Sequence, residues 1–232
     1  MSQKIAYLTI DDAPSEDFRN KVDFLSGKNI PAIFFCEGRK LSRFEDDMIY
    51  AIKNGFLIGN HSWSHQNFDG LSKSEIRDEI VKTDGLIDEI HKKAGVDRGI
   101  KLFRFPFLKK GAENRGFAQS VLDELGYKQP CFDDINYEWY EEEGFHEDLD
   151  VVCTYDSMDW TVADGSHMFG IRDLQDLFDR MDENVPEGRR GLNFEGSNDI
   201  IMMHDDSRIK DLFKPLIERF LNKGITFELP PF

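Results

Sequence analysis

Short, continuously apolar runs alternate with longer segments of helical periodicity along the chain, and this alternation is the feature that most restricts its fold. Apolar runs with the length of buried strands occupy residues 5–10, 32–36, 56–59, 101–104, 127–131, 151–155, 200–203 and 226–229. Strands that are apolar throughout and separated by helices predict a parallel sheet with helices on both faces. About seven or eight strand–helix units favour a closed (β/α) barrel over an open doubly wound sheet.

Segments with apolar residues at helical spacing lie between these runs, at residues 15–26, 46–54, 72–94, 115–125, 171–181 and 209–222. The segment 72–94 is the clearest helix. Ser72 or Ser74 is placed to cap its start, and Glu75 can complete a capping box with Ser72. Gly95 follows its end, where a helix commonly stops.

No repeat, linker or change in composition divides the 232 residues, so the sequence predicts one domain covering residues 1–232. Two stretches interrupt the alternation: residues 132–150, which combine aromatic side chains with an acidic run, and residues 187–198, which are rich in Gly and polar residues. Loops of this length are often functional or mobile. A solvated insertion and a substrate-facing role both remain open for them, and residues 132–150 could form a lid or a subunit contact.

The formal net charge is −16, from 45 acidic and 29 basic residues. Binding of a polyanion requires a basic surface that displaces counterions, so this charge argues against a nucleic acid partner. It argues equally against docking on an anionic membrane. A neutral or cationic substrate fits the charge better, and nothing in the sequence indicates a particular oligomeric state.

Cys36, Cys131 and Cys153 are widely spaced and form no CxxC pair, so the sequence predicts free thiols, not a disulfide framework or a zinc knuckle. No apolar signal segment opens the sequence, and no run of 18 apolar residues occurs in it. The sequence as given therefore predicts a cytoplasmic protein, or a secreted one if a leader has been removed.

Ionisable residues follow five of the predicted strands at the point where each strand ends. They are Asp11-Asp12, His61 with His65, Arg104, Asp156 with Asp159, and His204-Asp205. Each cluster alone has an ordinary structural explanation, as a turn, a cap or an ion pair. Because the carboxyl ends of the strands of a parallel barrel meet at one face, where such folds carry their active sites, we expect the five clusters to converge.

The spacing of His61 and His65 suits a metal site. If the backbone turns helically there, four residues of separation place both imidazoles on one face. Two histidines and one aspartate with an open position for water form the arrangement of a catalytic zinc site, unlike the closed coordination of a structural one.

Five motifs together resemble the polysaccharide deacetylases with a NodB homology domain, which form carbohydrate esterase family 4. In order they are Thr-Ile-Asp-Asp at 9–12, His-Ser-Trp-Ser-His at 61–65, Arg-Phe-Pro-Phe at 104–107, Asp-Ser-Met-Asp-Trp at 156–160 and Ile-Met-Met-His-Asp at 201–205. The set is specific although no single member is. The resemblance implies a distorted (β/α)7 barrel that holds a divalent metal ion, Zn²⁺ in the first place, with Co²⁺, Ni²⁺ or Mn²⁺ as alternatives.

The resemblance also implies a role for each matching residue. Asp12, His61 and His65 match the metal ligands, and Asp11 matches the catalytic base. Arg104 matches the residue that pairs with the base. His204 matches the general acid, and Asp159 matches the carboxylate that orients it. Phe107 and Trp160 match residues at the substrate, the first through its main-chain N–H and the second through its side chain.

The chain departs from the family pattern at three positions. Ala13 stands where the family usually has Gly, Phe107 where Tyr is common, and Leu108 where a glycine is expected. Because the oxyanion donor at residue 107 is a main-chain N–H, these changes bear on substrate fit more than on the chemistry.

The resemblance implies removal of N-acetyl groups from a saccharide that contains N-acetylglucosamine, of the chitooligosaccharide or peptidoglycan type. An O-acetyl xylan esterase would use the same residues. Relatives of this fold that hydrolyse cyclic amides and ureides such as allantoin, or that remove formyl groups, form a second enzyme class. A catalytically silent saccharide-binding protein is the alternative outside the enzymes.

Overall fold

The computed structural model of the chain describes residues 4–186 and 191–232, in which parallel strands alternate with helices. The strands are β1 (Lys4–Ala13), β2 (Ile33–Cys36), β3 (Leu57–Asn60), β4 (Tyr155–Asp156), β5 (Asp199–His204) and β6 (Ile225–Glu228). The helices are α1 (Phe18–Gly27), α2 (Gly38–Leu41), α3 (Glu45–Lys53), α4 (Lys73–Ala94), α5 (Arg115–Glu124), α6 (Glu138–Glu142), α7 (Asp159–Asp164), α8 (Leu174–Asp182) and α9 (Lys210–Asn222). Short 3-10 turns lie at Phe68–Gly70, Pro106–Leu108, Ala112–Asn114, Met168–Gly170 and Ser207–Ile209.

The strands pair in parallel around a ring. β1 lies between β2 and β5, while β3 extends the sheet beyond β2 and β4 extends it beyond β5. Two isolated parallel bridges, Asn60 with Phe103 and Phe103 with Asp150, join β3 to the segment that leads into β4. β6 pairs with the first half of β1. With Phe103 and the 150–156 segment included, the described residues supply seven strand positions, which confirms the predicted distorted (β/α)7 barrel.

The predicted strands at residues 101–104 and 151–155 are shorter than expected: the first is reduced to bridges at Phe103, and of the second only Tyr155 lies in a strand, β4. Arg104 accounts for part of this irregularity. Its guanidinium is fully buried, and Nε donates to the carbonyl oxygen of Val151 at 2.9 Å. A side chain therefore occupies a main-chain acceptor that a regular ladder would use.

The prediction of a strand at residues 127–131 is wrong. Tyr127 is buried, as the apolar pattern indicates, but within the described ranges the segment pairs with no strand. Pro130 has no N–H to donate to a ladder. The N–H of Cys131 instead donates to the carbonyl oxygen of Pro231 at 2.8 Å.

Helix α4 begins and ends as predicted. Its cap is Ser72, whose hydroxyl accepts from the N–H of Glu75, while the Glu75 carboxylate accepts from the N–H of Ser72 at 2.8 Å. Gly95 ends the helix in a left-handed conformation, with φ 69°. The capping box is therefore confirmed, with residue 72 rather than residue 74 as the cap.

The stretch 132–150 is packed against the barrel, which contradicts a purely solvated insertion. Tyr137 and Tyr140 are buried, and the rings of Trp139 and Phe145 lie 6.3 Å apart, edge to face. Trp139 and Phe145 also line a cavity of about 410 Å³ at the end of β4. Of the second interrupting stretch, residues 187–190 lie outside the described residues.

The three cysteines are free thiols, as predicted, with Cys36 and Cys153 buried and Cys131 exposed. None of the helices in residues 4–186 and 191–232 has both the length and the apolar composition needed to cross a bilayer.

Candidate metal-dependent active site

The carboxyl ends of the strands deliver the sequence-predicted site residues to one face of the barrel. Asp11 and Asp12 lie near the end of β1, His61 follows β3, and His204 ends β5. These side chains, with those of His65, Phe107 and Trp160, line a cavity of about 460 Å³. Arg104 and Asp159 do not line the cavity. Each is fully or almost fully buried, and Arg104 contacts the lining residues Asp11 and His61 while Asp159 contacts His204.

Asp12, His61 and His65 form a group that can hold a metal ion. One ligand atom from each residue lies within 4.8 Å of the other two. Oδ1 of Asp12 is 3.0 Å from Nε2 of His65 and 3.6 Å from Nε2 of His61. This oxygen is buried, and within the described part of the chain it accepts no hydrogen bond of ordinary geometry. A buried acceptor facing two imidazole nitrogens fits a divalent cation.

The protonation states of Asp12 and His61 favour metal binding, whereas that of His65 opposes it. Burial lowers the pKa of His61, and its Nδ1 lies 2.8 Å from the carbonyl oxygen of Arg104, so Nδ1 carries the proton and Nε2 is free to bind an ion. Burial raises the pKa of Asp12, but the neighbouring histidines outweigh it and hold the pKa well below its usual range. Burial also opposes the charge on His65, yet the Asp12 carboxylate raises its pKa, so protons compete with a cation there.

The helical turn considered for residues 61–65 is not formed. The described structure places no helix there, and Ser62 and His65 adopt left-handed backbone with φ 67° and 58°. The two imidazoles still converge, because their ring centroids are 5.0 Å apart. A folded loop therefore achieves the juxtaposition that the spacing alone predicts for a helix.

Side chains hold this histidine loop in place. The N–H of Ser62 donates to Oδ1 of Asn60 at 2.8 Å, and the N–H of His65 donates to the Ser62 hydroxyl at 3.1 Å. Ser64 donates from both its N–H and its hydroxyl to the Glu79 carboxylate of α4, at 2.7 Å each. Sequence reasoning did not identify Asn60 and Glu79. Asn60 directly precedes His61, which is a signal, whereas nothing local marks Glu79.

Several residues at the site adopt left-handed backbone. Asp12 has φ 63° and Phe107 has φ 56°, in addition to the two left-handed residues of the histidine loop. A non-glycine residue in this region costs about 1 to 3 kcal/mol. Such conformations persist only where the surroundings over-determine them, which is common at functional sites.

Asp11 and Arg104 form a buried ion pair. Nη1 of Arg104 donates to Oδ1 of Asp11 at 2.7 Å, and to the Thr9 hydroxyl at 2.7 Å. The guanidinium also lies over the ring of Phe35, 4.5 Å from its centroid. Oδ2 of Asp11 lies 3.7 Å from Nε2 of His61. One carboxylate oxygen is thus bound by arginine, and the other lies beside the candidate metal ligands.

His204 is paired with Asp159, which begins α7. Nδ1 of His204 lies 2.7 Å from Oδ1 of Asp159, and the N–H of His204 donates to Oδ2 at 3.0 Å. Burial lowers the pKa of His204, but the Asp159 carboxylate outweighs it and raises the pKa to about 10. His204 is therefore protonated at neutral pH, with Nε2 as its second N–H donor.

Phe107 and Trp160 lie on the cavity wall. Phe107 is 62% exposed, and its ring centroid is 4.6 Å from that of His65. Nε1 of Trp160 donates to Oδ2 of Asp156 at 3.2 Å. Asp156 also accepts from the N–H of Met158 at 2.8 Å, so it orients the indole and the turn into α7. Sequence reasoning did not identify this role of Asp156.

The family model for polysaccharide deacetylases matches residues 1–130. Among curated relatives, a peptidoglycan-N-acetylglucosamine deacetylase of Bacillus cereus is 33% identical over 84 residues, 36% of this chain and 30% of that protein. The putative polysaccharide deacetylase YheN of Bacillus subtilis is 24% identical over 229 residues, 98% of this chain and 67% of that protein. The match to the Bacillus cereus protein thus covers less than a third of that relative's length.

Solved structures show the same fold over almost the whole chain. A family 4 carbohydrate esterase from Streptomyces lividans, in complex with acetate, has a TM-score of 0.64 at 18% identity, over 97% of this chain and 92% of that one. A family 4 pseudoenzyme from Bacillus anthracis has a TM-score of 0.65 at 19% identity, over 97% of this chain and 63% of that one. At these identities the likeness concerns the fold alone. Together with the family model, which covers more than half of the sequence, it shows that the chain belongs to the polysaccharide deacetylase family.

Proposed function

We propose that the chain is a metal-dependent hydrolase that removes N-acetyl groups from a saccharide containing N-acetylglucosamine, of the chitooligosaccharide or peptidoglycan type. One observation carries the proposal: a single cavity brings together a two-histidine, one-aspartate group, a second carboxylate and a protonated histidine. These are the groups that metal-assisted hydrolysis of an amide requires. The family and the curated relatives support a saccharide as the substrate.

Asp12, His61 and His65 would hold the ion, with Zn²⁺ the best match to one carboxylate and two imidazoles. A bound divalent ion supplies Lewis acidity, which polarises an acyl carbonyl and makes water acidic enough to ionise near neutral pH. The residues of the chain supply the remaining chemistry.

Asp11 is the proposed general base. Arg104 binds Oδ1 and fixes the orientation of the carboxylate, while Oδ2 lies on the side of His61. Oδ2 can therefore accept the proton that water loses as it attacks the acyl carbon. Base catalysis by a positioned carboxylate is worth about 10²- to 10⁴-fold in rate.

His204 is the proposed general acid. Its Nδ1 is held by Asp159, which leaves Nε2–H to protonate the nitrogen of the departing amine. The raised pKa keeps this proton in place at neutral pH. The main-chain N–H of Phe107 is the proposed donor to the oxyanion, a contribution of roughly 3 to 4 kcal/mol for a donor of this type.

Acetate release from a panel of substrates tests the function. Chitooligosaccharides, peptidoglycan fragments and acetylated xylan are assayed for acetate, and allantoin for ring opening, with the Zn²⁺-loaded chain and with an Asp11→Asn variant as the negative control. We expect acetate from the first two, and none with Asp11→Asn. Release from xylan alone, or turnover of allantoin alone, would replace the proposed substrate with one of the other enzyme classes.

Metal analysis separates an enzyme from a silent binding protein. The purified chain should contain a divalent ion that is lost in Asp12→Ala and in His61→Ala. A chain that carries no metal, hydrolyses none of the substrates and still binds chitooligosaccharides would support the binding protein instead.

A further inference from the structure

A buried ion pair lies one residue beyond His204. Nζ of Lys21, in α1, bonds Oδ1 of Asp205, and each residue is only 1% exposed. The ammonium also lies 5.5 Å from the ring centroid of Phe213. Neither Lys21 nor Asp205 is among the described residues that line the 460 Å³ cavity. Burial of two charges is costly and seldom improves stability over apolar residues, so this pair requires another explanation.

Asp205 forms hydrogen bonds with both ends of a short segment, residues 11–15, that contains Asp12. Its N–H donates to the carbonyl oxygen of Asp11 at 2.8 Å. Its carboxylate accepts from the N–H of Ser15 at 2.7 Å and from the Ser15 hydroxyl at 2.6 Å. With Lys21, the carboxylate therefore has three donors, two of which come from the segment.

The opposite side of the segment is held by Lys40 of α2 and by Glu37, which directly precedes that helix. Nζ of Lys40 donates to the carbonyl oxygen of Asp12 at 2.8 Å, and the N–H of Glu37 donates to that of Ala13 at 2.8 Å. Asp12 has φ 63°, a conformation that an unsupported aspartate leaves readily. The segment is thus clamped from two sides, and Asp205 is the anchor on the side of β5.

We propose that Lys21 and Asp205 are positioning residues that hold the 11–15 segment so that Asp12 meets His61 and His65. The inference rests on the proposed role of Asp12 as a metal ligand. Lys21 acts through Asp205. Without the ammonium, a buried carboxylate is left without its counter-charge, and any movement that hydrates it carries Ser15 and the backbone of Asp12 with it. Because Asp12 is one of the three proposed metal ligands, a small displacement of its carboxylate should weaken metal binding.

The test measures the affinity for Zn²⁺ alone, by competition with a chromogenic chelator, at a temperature where circular dichroism shows each variant to be folded. We expect Lys21→Met to bind Zn²⁺ about 10- to 100-fold more weakly than the wild type. Asp205→Asn should change affinity in the same direction but less, because the amide oxygen can still accept from Ser15.

Lys4→Met is the matched control. Lys4 pairs with the buried Asp199 at 2.7 Å, at the opposite end of β1 from the site. Its loss should lower the melting temperature while leaving Zn²⁺ affinity unchanged. A general effect of removing a lysine from a buried pair would change affinity in this variant as well, and that result would contradict a positioning role.

If Lys21→Met does not fold, two other variants carry the test. The double variant Lys21→Met/Asp205→Asn leaves no unpaired buried charge, and Ser15→Ala removes one donor from a partly exposed residue. Both should still weaken Zn²⁺ binding. Wild-type affinity for Zn²⁺ in folded Lys21→Met, or in both the double variant and Ser15→Ala, would overturn this inference but leave the proposed function standing. A wild-type chain that takes up no Zn²⁺ would overturn the proposed function, and the inference with it.

Discussion

Single residues at this site are held by partners that fix their orientation and their charge. Arg104 is the clearest example of such a partner, because it forms hydrogen bonds with two of the site residues. Its guanidinium donates to Asp11 at 2.7 Å, and its carbonyl oxygen accepts a hydrogen bond from Nδ1–H of His61 at 2.8 Å. A single buried residue therefore orients the proposed base and sets the tautomer of one candidate metal ligand.

The role of Asp11 is tested by Asp11→Asn. Asparagine keeps an oxygen for Arg104 but cannot accept a proton from water, so we expect Zn²⁺ content to be retained and kcat to fall about 10²- to 10⁴-fold. Metal analysis and acetate release measure the two effects. Asp78→Asn, the same change on the exposed surface of α4, is the control. Full activity in Asp11→Asn would refute the assignment of the base.

The pairing of His204 with Asp159 predicts a pH dependence. The general acid must be protonated, so activity should persist up to the raised pKa of about 10 and fall above it. In Asp159→Asn the pKa of His204 should drop, because burial then acts without the opposing carboxylate. The alkaline limb of kcat should move down by about one to two pH units. An unmoved limb, measured with acetate release across pH 6–11, would assign that limb to another group.

At the scale of elements, helix α4 supports the histidine loop from outside the barrel. Glu79 binds Ser64, and the carbonyl oxygen of Ile80 accepts from Nδ2 of Asn60 at 3.0 Å. Both residues lie in the first half of α4, on the side of its capping box. The local signals that begin this helix therefore also place two supports of the loop.

Removal of the α4 cap should affect stability more than metal binding. Ser72→Ala leaves the N–H of Glu75 without its side-chain acceptor, which should cost about 1 kcal/mol of the free energy of unfolding. Denaturation in urea measures this change. Ser74→Ala, inside the same first turn, is the control and should cost clearly less. An equal loss in both variants would mean that the capping box contributes little.

At the scale of the whole molecule, the parallel barrel explains why five distant segments share one cavity. Strands of one direction present all their carboxyl ends on the same face, and the residues that follow them meet there. β1 is central, because β2, β5 and β6 all pair with it, and Asp11 and Asp12 lie at its site end. An ion bound by Asp12, His61 and His65 would link the end of β1 to the loop that follows β3.

Zn²⁺ should therefore stabilise the whole fold. Free ligand at 100 times its Kd adds about 2.7 kcal/mol, which for a chain of this size is a rise in Tm of about 5 to 10 °C. A thermal melt after chelation and again after addition of Zn²⁺ measures the shift. In His61→Ala the shift should vanish, since a ligand is missing. A shift of the same size in that variant would place the stabilising ion elsewhere.

Much of the fold could be predicted because its signals are local. A buried strand between helices is visible as an apolar run, and helix α4 is visible from its cap and its end. The failures are also physical. At residues 127–131 the apolar pattern reflects burial without pairing, and Pro130 removes a donor that a strand needs. At 101–104 the burial of Arg104 replaces a ladder with side-chain hydrogen bonds.

The sequence by itself determined which residue types end each strand, and hence that histidine and aspartate were available for a candidate metal site. The tertiary structure alone decided how these residues meet. The histidine pair converges through a left-handed loop rather than a helical turn, and its support Glu79 is 15 residues from Ser64. Lys21 and Asp205 form an ion pair although 184 positions separate them in the sequence. Polarity and periodicity are properties of neighbours in the chain, whereas such contacts depend on strand register and packing, which the whole barrel sets.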